Sequence, residues 1–271
     1  MAETLPPLLL VGCGKMGGAM LAGWREQGLA SAVVVEPYVS EALRALAGQG
    51  VTVVPDAASI PVGFSPGVIV FAIKPQEAPA ALPAYAALAA GALSISIMAG
   101  RSVASMQAAL GEGSALIRAM PNTPAAIRQG FTVGFTGPGV TEAQRALADR
   151  LLAAIGEVAW VAEEDLINPV TAVSGGGPAY VFLLTELLEQ AAIGEGLPPD
   201  LARRMARVTV SGSGALLAAS SEDAAALRRA VTSPKGTTER ALAVLMAEEA
   251  WPDAIRRAMA AATARSRELA G

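Results

Sequence analysis

Residues 8–17 read Leu8-Leu9-Leu10-Val11-Gly12-Cys13-Gly14-Lys15-Met16-Gly17. Four apolar residues run into Gly-x-Gly-x-x-Gly, and a helical pattern follows. Each glycine has a separate task in such a turn. Gly12 permits the tight bend, Gly14 lets the backbone approach a pyrophosphate, and Gly17 lets helix and strand pack closely. The helix start then offers free N–H groups and a partial positive charge to the phosphates. An acidic residue, Glu36, ends the next β-rich run, about 20 residues on, where a ribose 2′-OH is read. Strand, glycine turn, helix and acidic residue together make a dinucleotide site, for NADPH or NADH. Two readings of Glu36 compete. It can accept from the 2′-OH and repel a 2′-phosphate, which favours NADH. Alternatively it turns to solvent while other groups hold a phosphate. No Arg follows in residues 37–40, so the balance tilts to NADH.

Outward from this turn, short β-rich runs recur at Leu8–Val11, Val33–Val35, Val51–Val54, Val68–Ile73, Leu93–Met98, Ala115–Arg118, Phe131–Phe135 and Glu157–Val161. Helical patterns such as Met16–Gln27, Ser40–Ala47 and Thr141–Ala154 fill most of the gaps. Strand–helix alternation predicts right-handed βαβ units and a mostly parallel sheet. Beyond residue 162 the β signals stop, and apolar positions recur at helical spacing, Leu201, Met205 and Val208 among them. The expected fold is therefore α/β: a Rossmann-type domain over residues 1–162 and an all-helical domain over 163–271. Gly196-Leu197-Pro198-Pro199-Asp200 breaks the helical part, with Asp200 expected as an N-cap. The Ala- and Leu-rich surplus of this part suggests burial against a second copy of the chain.

Composition excludes several classes. The chain has 271 residues, is 53% hydrophobic and carries a net charge of −4. A globular protein follows, and a nucleic-acid partner held by phosphate contacts does not. One cysteine and no histidine exclude an intrachain disulfide, a Cys/His metal site and Ser-His-Asp catalysis. The apolar runs fall short of the roughly 20 residues that span a bilayer, and no leader pattern opens the chain. A cytoplasmic protein with no membrane partner is expected.

Ligands bind outside the carboxyl ends of strands in such sheets. Ala72-Ile73-Lys74-Pro75, Ala99-Gly100-Arg101-Ser102 and Met120-Pro121-Asn122-Thr123-Pro124 fall there. Lys74 and Asn122 are the polar groups best placed to reach a nicotinamide or its ribose. Each also has an ordinary reading, Lys74 as a solvated loop lysine and Asn122 as turn chemistry.

The glycine turn, AIKP, RAMPNTP, EEDLINPVTAVSGGGPAYVF and VTSPKGTTERAL together resemble the Δ1-pyrroline-5-carboxylate reductase family in order and spacing, over nearly the whole chain. That resemblance implies hydride transfer from NAD(P)H to the C=N carbon of pyrroline-5-carboxylate, giving L-proline. It implies a C-terminal dimerisation domain that interlocks with its partner's in a homodimer, with dimers commonly assembling into decamers. It implies that Gly12, Gly14, Lys15, Met16 and Gly17 form the cofactor turn. Ala72, Lys74 and Pro75 line the cofactor's reactive end, and Asn122 and Thr123 lie beside the nicotinamide. Ser174 to Tyr180 head a long helix in the substrate region. Ser233 to Thr238 form the loop that holds the substrate carboxylate, through Gly236, Thr237 and Thr238. Two positions depart from the family pattern. Gly176 replaces a usual Ser, and Lys235 replaces the first glycine of a usual pair.

Such chemistry needs no histidine, because the protonated imine exists in solution and the cofactor carries the hydride. Orienting two reactants can contribute about 7–11 kcal/mol, so a carboxylate clamp matters most. Gly236-Thr237-Thr238 is expected to open a helix whose N–H groups bind the anion, with the Thr238 hydroxyl as side-chain participant. The ordinary alternative is Ser233 as N-cap with Pro234 at the first helical position. Lys235 is expected at negative φ with its side chain in solvent. Two rival functions share parts of the pattern: a reductase of another imine or a β-hydroxy acid, and a non-catalytic dinucleotide-binding protein.

Overall fold

A computed structural model of the chain describes residues 4–48 and 50–270. It divides into two compact units. One takes the chain up to Gly175 and again from Ala262; the other is Gly176–Ala261.

The first unit is built on one eight-stranded sheet. Its strands are β1 (Leu8–Val11), β2 (Ala32–Val35), β3 (Val51–Val54), β4 (Val68–Phe71), β5 (Leu93–Ser96), β6 (Leu116–Met120), β7 (Gly130–Thr136) and β8 (Gly156–Val161). They lie in the order β3-β2-β1-β4-β5-β6-β7-β8. β1, β2 and β4 are buried at every residue, which is why they are apolar without alternation. Leu10 pairs with Val34 on one side and Val70 on the other. All neighbours are parallel except β6 and β7. The reason is local. Only a 3₁₀ turn, Thr123–Ile127, separates those two strands, and a parallel crossover needs a dozen or more residues. Strand order reverses beside β1, opening the crevice in which such sheets bind ligands.

Helices cover both faces. α1 (Lys15–Glu26) buries Trp24, whose Nε1 donates to the Leu151 carbonyl at 2.8 Å. A Cβ on Gly23 would lie 2.5 Å from the Ala154 carbonyl oxygen, so α1 packs tightly there. On the other face, residues 78–92 and the helix Val103–Leu110 cover Leu9, Val11, Ile69 and Phe71.

The first unit runs on past β8 because charged pairs fasten the next segment to it. Arg118, buried on β6, pairs with Glu164 at 2.9 Å, and the same carboxylate oxygen accepts from the Val103 N–H at 2.9 Å. The C-terminal helix Trp251–Ala270 brings its last turns back to this unit. Ser266 donates to Asn168 Oδ1 at 2.8 Å, and Arg267 pairs with Asp165 at 2.9 Å. Leu269 packs on Gly100, whose φ is +66°.

The second unit is helical: Gly177–Gly194, Pro199–Ala219, Ala224–Ala230, Thr237–Leu245 and the start of Trp251–Ala270. Asp200 is not the N-cap. Pro198 takes that place, Pro199 starts the helix and Asp200 lies in the first turn, because a proline is already pre-set for the first helical position. Within this unit only Ala202 and Ala206 are buried, while Phe182, Leu183, Leu187, Val208 and Leu216 are exposed. Among the described residues no helix is long and apolar enough to cross a membrane.

Candidate active site

The three glycines of the first turn are needed for different reasons. Gly12 has φ +90°, and a Cβ there would lie 2.8 Å from the Ala72 carbonyl oxygen. A Cβ on Gly17 would lie 2.4 Å from the Gly12 carbonyl oxygen. Both are required by the protein's own packing. Gly14 differs: its φ is −68°, open to any residue, and no atom lies within 4 Å of a Cβ built on it. Nothing inside the molecule explains a glycine there. It fronts the start of α1, whose first internal bond runs from the Gly18 N–H to the Gly14 carbonyl at 2.8 Å. Lys15, Met16 and Gly17 stand ahead of that bond, and the first turn holds no acidic residue. An open cradle of N–H groups fits a pyrophosphate.

Glu36 does not turn to solvent. Its Oε2 accepts from the Cys13 N–H at 2.7 Å and its Oε1 from the Tyr38 N–H at 3.0 Å. The carboxylate is therefore fixed against the glycine turn. Burial first, and the Glu36 charge second, push the Cys13 thiol up to about 11. It is a packing group rather than a nucleophile.

At the strand ends, Ala72 continues β4 by donating its N–H to the Val11 carbonyl at 2.7 Å. Lys74 is exposed and Pro75 is half-buried. Arg101 Nε donates to the Pro75 carbonyl at 2.9 Å, tying the two neighbouring loops together. Asn122 is engaged at both ends of its amide. Oδ1 accepts from the Phe131 N–H at 2.8 Å, and Nδ2 donates to Ser174 Oγ at 3.2 Å. It holds β7 and the Ser174 segment in place, while Thr123 stays exposed. Ser174 lies in a π-helical turn, Thr171–Gly175, a rare geometry that often marks functional positions. A Cβ on Gly175 would lie 2.7 Å from Met120 Cε. Gly176 has φ −81°, so its replacement of a serine removes a hydroxyl without answering any backbone demand.

Two residues escape sequence reasoning here. Arg128 has φ +61° and forks onto Glu26 at 3.0 and 2.7 Å. It also reaches the Ala19 carbonyl at 3.2 Å, joining the Asn122 loop to α1. Nothing in its sequence neighbourhood signals this. Arg118 does leave a signal, since a cation inside an apolar strand run must find a partner.

Gly236, Thr237 and Thr238 belong to the second unit. Gly236 is the N-cap of Thr237–Leu245, with φ −83°, ψ 174° and no side-chain cap bond. The Ser233–Pro234 cap is not formed, because the Ser233 carbonyl instead accepts from the Gly236 N–H at 3.0 Å, closing a turn. The helix start therefore keeps its first N–H groups uncapped. Lys235 overturns one expectation and meets the other. Its side chain is exposed, but φ is +61°, not negative. The tight turn requires it, and Glu239 Oε2 accepts from the Lys235 N–H at 2.5 Å to hold it there. This is the left-handed region that favours glycine.

Residues 164–269 match the family model described as pyrroline-5-carboxylate reductase dimerisation, and residues 8–100 match one described as NADP oxidoreductase, coenzyme F420-dependent. The pyrroline-5-carboxylate reductase of Pseudomonas aeruginosa is 37% identical over 269 residues, 98% of each chain. The solved pyrroline-5-carboxylate reductase of Coxiella burnetii superposes with a TM-score of 0.87 at 31% identity, over 97% of this chain and 98% of that one. The Plasmodium falciparum enzyme, solved with NADP bound, shares the fold with a TM-score of 0.83 at 23% identity, over 98% of each chain. With kinship of this depth over the whole length, the chain belongs to the pyrroline-5-carboxylate reductase family.

Proposed function

We propose that this protein reduces Δ1-pyrroline-5-carboxylate to L-proline with NADH or NADPH. The observation that carries the reading is the uncapped start of Thr237–Leu245. A glycine N-cap with no side-chain cap bond and two threonines leave N–H groups free for an anion, while Glu239 of the first turn directs its carboxylate to the Lys235 N–H, and a substrate carboxylate is such an anion. Gly236, Thr237 and Thr238 would hold that carboxylate, and Ser174 is separately a candidate substrate-binding residue. Thr238 would act as catalytic hydroxyl, hydrogen-bonding the carboxylate or the ring nitrogen. Bound NAD(P)H supplies the hydride. Gly12, Gly14, Lys15, Met16 and Gly17 would seat its pyrophosphate, and Glu36 its adenosine ribose. Ala72, Lys74, Pro75 and Asn122 would line its reactive end, with Lys74 the cation there. In this division of labour residues 1–162 bind the dinucleotide and 163–271 bind substrate and pair with a second copy. The exposed Phe182, Leu183, Leu187, Val208 and Leu216 support a homodimer, since a lone chain rarely exposes so much apolar surface. The decamer remains an expectation from the family resemblance.

The test is NADH and NADPH oxidation with pyrroline-5-carboxylate, against other cyclic imines and keto acids. Turnover confined to pyrroline-5-carboxylate is expected. Faster turnover of another imine would replace the substrate assignment, and dinucleotide binding without turnover of any would favour a non-catalytic protein. Sedimentation that gives a monomer at every concentration would remove the homodimer.

A further inference from the structure

We infer that the fixed carboxylate of Glu36 makes this protein select NADH over NADPH. The inference rests on the reading of the glycine turn as a dinucleotide site, and it deepens that reading. Glu36 closes β2 beside the turn and is held by two backbone N–H groups, of Cys13 at 2.7 Å and of Tyr38 at 3.0 Å. A free side chain could swing away from an incoming 2′-phosphate. One gripped from both sides keeps its charge in place. It retains lone pairs to accept from a ribose 2′-OH, because a carboxylate has about four acceptor sites.

The rest of the loop offers a phosphate little compensation. Residues 37–43 contain no Lys or Arg. Glu41, at the first position of α2 (Glu41–Leu46), adds a second negative charge. The Ser40 hydroxyl accepts from the Leu43 N–H as that helix's cap, at 3.1 Å, and has only a neutral O–H to offer a phosphate. Arg44 lies in the last turn of α2, and Arg25 is turned to the Leu46 carbonyl. Lys15 opens α1, at the pyrophosphate end of the turn. Acceptance of a 2′-phosphate ordinarily needs a nearby Arg.

The experiment titrates the whole protein with each nucleotide alone, without substrate, and reads nicotinamide fluorescence. NADH is expected to bind at least tenfold more tightly than NADPH at low salt. The gap should narrow as salt screens the repulsion between carboxylate and phosphate. Glu36→Ser should tighten NADPH at least tenfold and weaken NADH severalfold. Glu36→Gln removes the charge and keeps its one amide oxygen as acceptor for the Cys13 N–H, giving up the bond from the Tyr38 N–H; it should show the NADPH gain even if the serine variant folds poorly. If neither variant folds, the salt titration of the unmodified protein decides. Equal or tighter binding of NADPH overturns this selectivity and leaves the reductase reading standing. Failure to bind either nucleotide overturns both.

Discussion

Replacing Lys235 with glycine should stabilise the protein, and the size of the effect follows from three contributions. A non-glycine residue in the left-handed region carries a cost of roughly 1–2 kcal/mol, and Lys235 is held there at φ +61°. Glycine removes that cost. Against it stands the greater freedom of glycine in the unfolded chain, about 0.4–1 kcal/mol. The lysine side chain is exposed, so its loss adds only a few tenths. The Glu239 contact survives, because it is made to the backbone N–H of Lys235. The net gain expected is about 0.5 kcal/mol, or roughly one to two degrees in Tm for a chain of this size. Lys235→Ala is the control, since alanine loses the same charge and keeps the strain. Urea unfolding at one protein concentration, with equal m-values, compares the three proteins. The order expected is glycine above lysine, with alanine level with lysine. A glycine variant no more stable than the alanine variant would refute the argument, since the backbone would then carry no strain for glycine to relieve.

The second and third glycines of the turn should separate binding from folding. Gly14→Val should keep its Tm and lose dinucleotide binding, because the side chain fills open space. Gly17→Ala should lower Tm, because its Cβ would strike the Gly12 carbonyl at 2.4 Å. Thr238→Ala should reduce turnover on pyrroline-5-carboxylate far more than it weakens nucleotide binding; turnover equal to the unmodified protein would remove Thr238 from the chemistry. Glu164→Ala leaves the buried Arg118 without its carboxylate and should cost about 3–5 kcal/mol in urea unfolding. Cys13 sets a pH dependence of stability. Its folded pKa of about 11 lies above its ordinary 9.0, so the folded state holds a proton that the unfolded state releases first. Stability should fall as pH rises from 9 to 11, by up to about 2 kcal/mol. Cys13→Ala should lack that component in urea melts taken across the range.

Much of this was legible in the sequence, for identifiable reasons. Strands buried on both faces must be continuously apolar, so the run at residues 8–11 coincides with β1, and those at 33–35 and 68–73 overlap β2 and β4. Helix starts follow from capping chemistry where a Ser or Thr side chain does the capping, as at Ser40 and Thr141. A capping argument failed where a proline does that job, at Pro198, and the expected helix start at Gly236-Thr237-Thr238 was met with the Ser233–Pro234 cap unformed. The antiparallel β6–β7 pair was readable in principle from the short stretch between them. Other features carry no local signal. Arg118 meets Glu164 across 46 positions, and Arg128 meets Glu26 across 102. A lone sequence cannot announce such partners. Nor could it give the φ of Lys235, which a turn enforces on a residue that ordinarily avoids it.

The return of residues 262–270 to the first unit has a consequence for how the protein is made. In the order of synthesis, the whole of Gly176–Ala261 leaves the ribosome before Ser266, Arg267 and Leu269 can reach Asn168, Asp165 and Gly100. The helical unit is in effect an insertion within the unit that bears the glycine turn. That turn's own unit is therefore completed only after the helical one has emerged, and a chain halted near Ala261 would leave its surface around Gly100 uncovered.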